Sequence, residues 1–382
     1  MVNVSLPPAE TGVFIIGGGP AGLAAALAAR RSGFDVVVAD RAQPPIDKAC
    51  GEGLMPDGVA ALRQIGVALG LEHGFPFRGI RFVDNELEAE ASFPHSFGLG
   101  IRRTLLHRIL MERAQDAGVV TCWNTRIDAL SSSGVQAGGR TVRCQWIVGA
   151  DGIHSRARQW AGLHPAWNGA RRIGLRQHFR IRPWTDFVEV HWHTRCQAYV
   201  TPVGPKEVCI AIIGSAQEAR ISNLPALFPR LAKRLGGVEP MGSVRGAISM
   251  SVKLSAVTRG RIALVGDASG SVDAVTGDGL ALAFRQAALL GAALAAGDLA
   301  TYETMHRRMG RMPRLMARIL LLMDANDGLR RRALRTLATR PRTFGRLLAL
   351  HVGALRPAEA SLDVLGFALR LLASGTALDR NA

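Results

Sequence analysis

The residues of this chain best suited to chemistry on a phosphate are glycines. Gly17-Gly18-Gly19-Pro20-Ala21-Gly22 follows the apolar run at residues 13–16 directly, and Asp40 with Arg41 stands roughly 20 residues beyond the last glycine. In a turn of this kind Gly17 permits the tight bend, Gly19 lets backbone approach a pyrophosphate, and Gly22 lets the next helix pack on the strand. An acid at the distance of Asp40 accepts hydrogen bonds from ribose hydroxyls. Strand before, helix after and acid beyond together make this a dinucleotide site and not a bare glycine loop.

Two further glycine and acid motifs stand at the ends of apolar runs: Gly149-Ala150-Asp151-Gly152, and Gly266-Asp267 followed by Thr276-Gly277-Asp278-Gly279. Loops after parallel strands are where α/β folds bind ligands. Asp267 on such a loop can accept hydrogen bonds from ligand hydroxyls, or cap a helix. Asp151-Gly152 serves a ligand or simply a turn. Arg103, at a helix start, reads by itself as a solvated helix residue. Cys50, in Cys50-Gly51-Glu52-Gly53-Leu54, reads by itself as a small buried thiol beside a turn. His191 and His193 share a strand face, but without a third ligand they read as pocket lining or surface, and no metal site is assigned.

Several elements must position these groups. Residues 13–16 and 34–39 read as strands around a helix at 23–32 that Gly33 ends, with further helices at 55–69 and from 102–103 to about 118. Residues 119–123, 141–148 and 262–265 continue the buried-strand texture, and a long helix begins near Leu280. Between them lies a β-rich stretch, with strands at 82–93, 175–181, 187–193, 198–202, 208–213 and 246–252 and a helix at 221–235 that Pro229 interrupts. From residue 301 the chain is helical and arginine-rich, with breaks expected at Pro313, Pro341 and Pro357. The fold class is therefore α/β: a Rossmann-like dinucleotide-binding domain from residues 1–75, 101–165 and 255–300, an inserted β-sheet substrate domain from 76–100 and 166–254, and a helical C-terminal region at 301–382.

Composition narrows the function. The chain has 382 residues, 48% of them hydrophobic, enough for a large core. Its net charge of +17 is nearly all arginine, and no nucleic-acid module accompanies it, so nucleic acid is not an expected partner. Five cysteines without a C-x-x-C argue against a disulfide framework and for a reducing, cytoplasmic compartment. Neither a leader nor a membrane span is expected. The arginines at 307, 308, 311, 314, 318, 330, 331, 332 and 335 are read as solvated helix faces, with peripheral contact to an inner membrane surface as the alternative.

In order and spacing, the three motifs resemble the flavoprotein superfamily of para-hydroxybenzoate hydroxylases and geranylgeranyl reductases, over roughly residues 12–295. The resemblance implies FAD, with adenosine near Asp40 and Arg41, the ribityl chain near Asp267, the ring beside Thr276-Gly277-Asp278-Gly279, and Arg103 near the cofactor. It implies a transient NADH or NADPH reductant and a hydrophobic small-molecule substrate. The main reading is a monooxygenase acting on an aromatic or polyketide-like molecule; the alternatives are an ene-reductase of an isoprenoid or lipid double bond, and a non-catalytic flavin-binding module. Cys50-Gly51-Glu52-Gly53 is similar to the reductase branch, where the resemblance implies a cysteine near the flavin and makes Cys50 the candidate catalytic thiol. Ala274 and Val275 stand where many hydroxylases have proline.

Overall fold

The computed structural model describes residues 6–376. Residues 1–5 and 377–382, which end the first and last expected domains and include the start of the expected leaderless N-terminus, lie outside the described residues. The organising sheet is parallel at its centre. Glu10–Ile16 pairs with Val36–Ala39 on one side and Arg140–Gly149 on the other, Val120–Cys122 extends one edge, and Ile262–Leu264 follows on the opposite side. Val13, Phe14 and Ile15 are fully buried, each such side chain worth about 1.5–3 kcal/mol. Apolar residues on both faces of a strand require cover on both sides, which is why these runs do not alternate.

Helix Pro20–Arg31 begins with proline at its first position, where no N–H is needed, and its alanines let Gly279–Ala296 pack close against it. That second helix is long and apolar enough to cross a membrane by composition alone. Here its apolar length is used against Pro20–Arg31 and Pro56–Gln64 inside the fold.

A second sheet has seven strands, in the order Pro240–Ser249, Arg172–Phe179, Glu207–Gly214, Cys196–Gly204, Phe187–His193, Gly79–Asp84 and Leu87–Ser92. Its strands come from two separated stretches of chain. Gly98–Gly100, Gly53–Leu54 and Phe75–Phe77 form a small sheet at the junction. The α/β class with an inserted sheet and a helical C-terminal region is the observed architecture.

The C-terminal helices cover the second sheet. Asp327–Thr339 and Pro341–His351 pack on Leu87–Ser92, and Ala333, Leu334, Leu337, Phe344 and Leu348 join Phe77, Val188 and Trp192 in one apolar cluster. Two expectations change. Pro313 does not break a helix, because it lies in the first turn of Arg311–Ala325, where amides have no intrahelical acceptor to lose. Arg330 is not solvated: it is buried, with Nε 2.9 Å from Asp84 Oδ2.

Candidate active site

The glycine turn is held from behind and open in front. Gly17 has φ +109°, and a Cβ there would stand 2.5 Å from the Ala150 carbonyl; one on Gly22 would stand 1.8 Å from the Gly17 carbonyl. Both glycines are required by the fold itself. Gly19 differs, because a Cβ there meets no protein atom within 4 Å. His107 Nε2 donates to the Gly18 carbonyl at 2.9 Å, and burial lowers its pKa. Asp40 Oδ2 accepts from Gly18 N at 2.7 Å and Oδ1 from Ala42 N at 2.8 Å, so this carboxylate also fixes the turn. Arg41 is exposed beside it. Asp151 points elsewhere: it accepts from Ser155 and from the amides of Arg156 and Ala157, capping helix Arg156–Trp160.

Asp267 has no such occupation. Among the described residues its carboxylate caps nothing and accepts no hydrogen bond, and it is exposed to solvent. Surrounding protein nonetheless desolvates it and raises its pKa, against the pull of Lys48, Arg103 and Arg158. Exposed yet desolvated describes a side chain standing in a deep cleft. Arg103 faces the same cleft: it is 7% exposed, its NH1 is buried without a partner among the described residues, and burial lowers its pKa.

The loop at residues 273–279 is fixed by side chains from three directions. Asp273 Oδ1 accepts from Val275 N at 3.0 Å and from Arg172 NH1 at 3.0 Å. Arg172 also pairs with Asp324 of the C-terminal helices at 3.4 Å. Tyr199 Oη donates to the Val275 carbonyl at 2.7 Å. The Asp273 cap supplies the turn at Ala274–Thr276 that proline would otherwise favour. Gly277 follows at φ +72°, and nothing lies within 4 Å of a Cβ on Gly279. Asp278 Oδ1 lies 3.1 Å from His351 Nε2, contributed by helix Pro341–His351.

Cys50 lies half-buried at the junction of the two sheets, its Sγ accepting from Glu52 N at 3.3 Å. Burial raises its pKa, and Arg103 opposes the rise. Glu52 was not singled out in the sequence. It is buried at φ +59°, Oε1 accepts from Arg103 N at 2.9 Å, and Oε2 lies 2.6 Å from His178 Nε2. Arg176 adds its NH1 at 3.5 Å from Glu52 and its NH2 at 2.6 Å from Asp47. Only its place between two glycines near Cys50 could have marked Glu52, while its partners come from a distant strand. Glu52, His178 and Cys209 could meet around a cation, but the Arg176 guanidinium already neutralises that carboxylate. His191 is similarly engaged, 3.0 Å from Glu189, and His193 packs on Phe228.

Space in front of Gly19, an unspent carboxylate at Asp267 and an unpartnered Arg103 fit a dinucleotide laid along the cleft. A family model described as FAD binding domain matches residues 10–298. The chain belongs to this FAD-binding family. It is 28% identical to a menaquinone reductase of Mycolicibacterium smegmatis, over 76% of this chain and 78% of that protein. A ubiquinone hydroxylase of Rhodospirillum rubrum is 27% identical over 84% and 86%. The fold is similar to a flavoprotein/dehydrogenase from Cytophaga hutchinsonii, with TM-score 0.80 and 17% identity over 97% of this chain and all of that one. The chain is an FAD-dependent oxidoreductase of the hydroxylase and reductase superfamily.

Proposed function

We propose that this enzyme is an NAD(P)H-driven monooxygenase that hydroxylates a hydrophobic aromatic or polyketide-like molecule. The observation that carries the reading is the apolar wall beside the 273–279 loop. Met55 approaches to 3.4 Å of the Cβ position of Gly277, and Met55, Val190 and Met323 share one buried cluster with Tyr199 packed against it. The Tyr199 hydroxyl is already bound to the Val275 carbonyl, so the tyrosine's polar end is turned to the loop backbone. Oxygen chemistry needs such dryness, since water diverts reactive intermediates.

FAD, when bound, supplies the electron transfer and the activation of dioxygen. The chain supplies binding and orientation. Gly19 leaves room for the pyrophosphate, Asp267 accepts hydroxyl hydrogen bonds, and Arg103 brings a positive charge to the cleft. Gly277 turns the chain, its own amide donating to the Ala274 carbonyl, and Gly279 at the start of helix Gly279–Ala296 presents its amide and the positive end of a helix dipole to the ring's developing negative charge. The five free cysteines support a reducing, cytoplasmic setting.

A second reading, reduction of a carbon-carbon double bond in an isoprenoid or lipid, is favoured by the likeness to the menaquinone reductase and by the Cys50 thiol at the cleft. Reducing the enzyme anaerobically and then admitting air with hydrophobic candidates separates the two. Hydroxylated product that requires oxygen supports the first. Saturated product formed without oxygen would replace it with the second.

A further inference from the structure

The surface of the C-terminal region is unusual in what it exposes. On helix Arg311–Ala325, Arg311, Leu315, Arg318 and Leu322 recur at helical spacing and form one solvent-facing stripe, with Leu315 48% and Leu322 60% exposed. Half-buried Met312, Ile319 and Leu321 flank it. No acidic residue occurs from 311 to 323. Arg311 and Arg318 have no carboxylate partner among the described residues, and Arg318 adds its like charge to the burial that lowers the Arg314 pKa. The preceding helix, Leu299–Met309, ends with exposed Met305 and Arg308 beside this stripe in sequence.

A plain solvated helix face carries both signs. Helix Arg103–Asp116 does so, with Arg108 facing Glu112 and Arg113 facing Asp116. The stripe instead alternates leucine with unopposed arginine, the composition of a helix that lies in a headgroup layer. Fifteen arginines against six acidic residues give residues 301–382 a net charge of +9, more than half that of the chain.

We propose that the outward face of Arg311–Ala325 docks on an anionic phospholipid bilayer. Leucines enter the acyl boundary and arginines meet headgroup phosphates. The same helix turns Ala317, Met323 and Asp324 inward, and Asp324 pairs with Arg172, which holds Asp273 at the flavin loop. A bilayer-dissolved substrate would thus meet the enzyme one helix away from its site. This purpose rests on the hydrophobic-substrate reading; the docking itself does not.

The test uses the FAD-loaded full chain and extruded vesicles, either phosphatidylcholine alone or with about one-third phosphatidylglycerol, read by co-sedimentation. The parent is expected to partition to the anionic vesicles and not to the neutral ones, and to be released by salt. Arg311→Gln with Arg318→Gln should lower partitioning about tenfold or more. Leu315→Ser with Leu322→Ser should lower it comparably, with FAD content and melting temperature unchanged in both variants. Equal partitioning to both vesicle types, or variants that bind like the parent, would overturn docking. So would a dimer in sedimentation that the leucine variant dissociates, because a second copy would then be the occupant. Vesicle binding without oxygenated product would count against the reaction reading alone.

Discussion

The glycine turn at residues 17–22 and the loop at residues 273–279, which the proposed function gives to one cofactor, are built by different means. The turn is shaped by backbone, Gly17 against the Ala150 carbonyl and Gly22 against Gly17, with Asp40 and His107 of the same domain tying down Gly18. The loop is made from remote chain. Arg172 and Tyr199 come from the inserted sheet, and Asp324 and His351 from the C-terminal helices. A phosphate site needs exposed amides in a fixed curve, which local glycines provide. A ring placed there by the proposed function must be aligned with a substrate, which fits support from elements outside the dinucleotide-binding sheet.

The sharpest way to break the contrast is at Arg172. Its removal in Arg172→Ala leaves Asp273 and Asp324 buried without their cation, expected to cost about 3–5 kcal/mol. Urea unfolding measures this, and a loss under about 1 kcal/mol would make the remote support incidental. On the other side of the comparison, Gly19→Val should leave folding intact, since no protein atom lies within 4 Å, yet abolish bound FAD. A parental flavin-to-protein ratio in that variant would mean that the space in front of Gly19 is not cofactor space. Asp267→Ala should weaken FAD binding by about 1.5–3 kcal/mol without unfolding the chain, as befits a lost charged acceptor. Unchanged affinity in a flavin titration would remove Asp267 from the site.

The His351 tie offers a pH test. Burial works against its charge, but Asp278, Asp57 and the Thr276 backbone together outweigh burial and lift the pKa to about 8. A pKa above the unfolded value of about 6.5 contributes stability in full below about pH 6.5, and that stability is lost as pH rises through about 8. The contribution is about 2 kcal/mol, so His351→Gln should be destabilised relative to the parent at pH 6 and nearly matched to it at pH 9. A gap that ignores pH would show that the imidazole packs without pairing.

The same contrast explains what could be read in the sequence. Alternating strand, glycine turn and helix state the parallel sheet and the dinucleotide end locally, because each step depends on neighbours a few residues away. Asp40 was legible by spacing, though its carboxylate grips the turn itself. Asp151 shares the motif pattern and caps a helix, since a carboxylate before an N-terminus serves either end equally in sequence. Glu52, Arg172 and His351 left no local mark. Their meaning arises only when strand Arg172–Phe179 and helix Pro341–His351 are brought to the loops. Pro313 misled for a related reason: its effect depends on how far it stands from a helix start that Gly310 sets.

The smallest expected effect bears on the central claim, that the proposed hydroxylation needs no proton from the protein thiol. Cys50 is held by Glu52 N and not by a deep core, so Cys50→Ala should be structurally mild. The decisive measurement is the ratio of hydroxylated product to oxygen consumed by Cys50→Ala, taken with its turnover rate, FAD content and melting temperature. Hydroxylation within a few-fold of the parent and an unchanged ratio are expected. A loss of about 100-fold in turnover at unchanged FAD content and melting temperature, the usual cost of a missing proton donor, would contradict the account and turn it toward double-bond reduction.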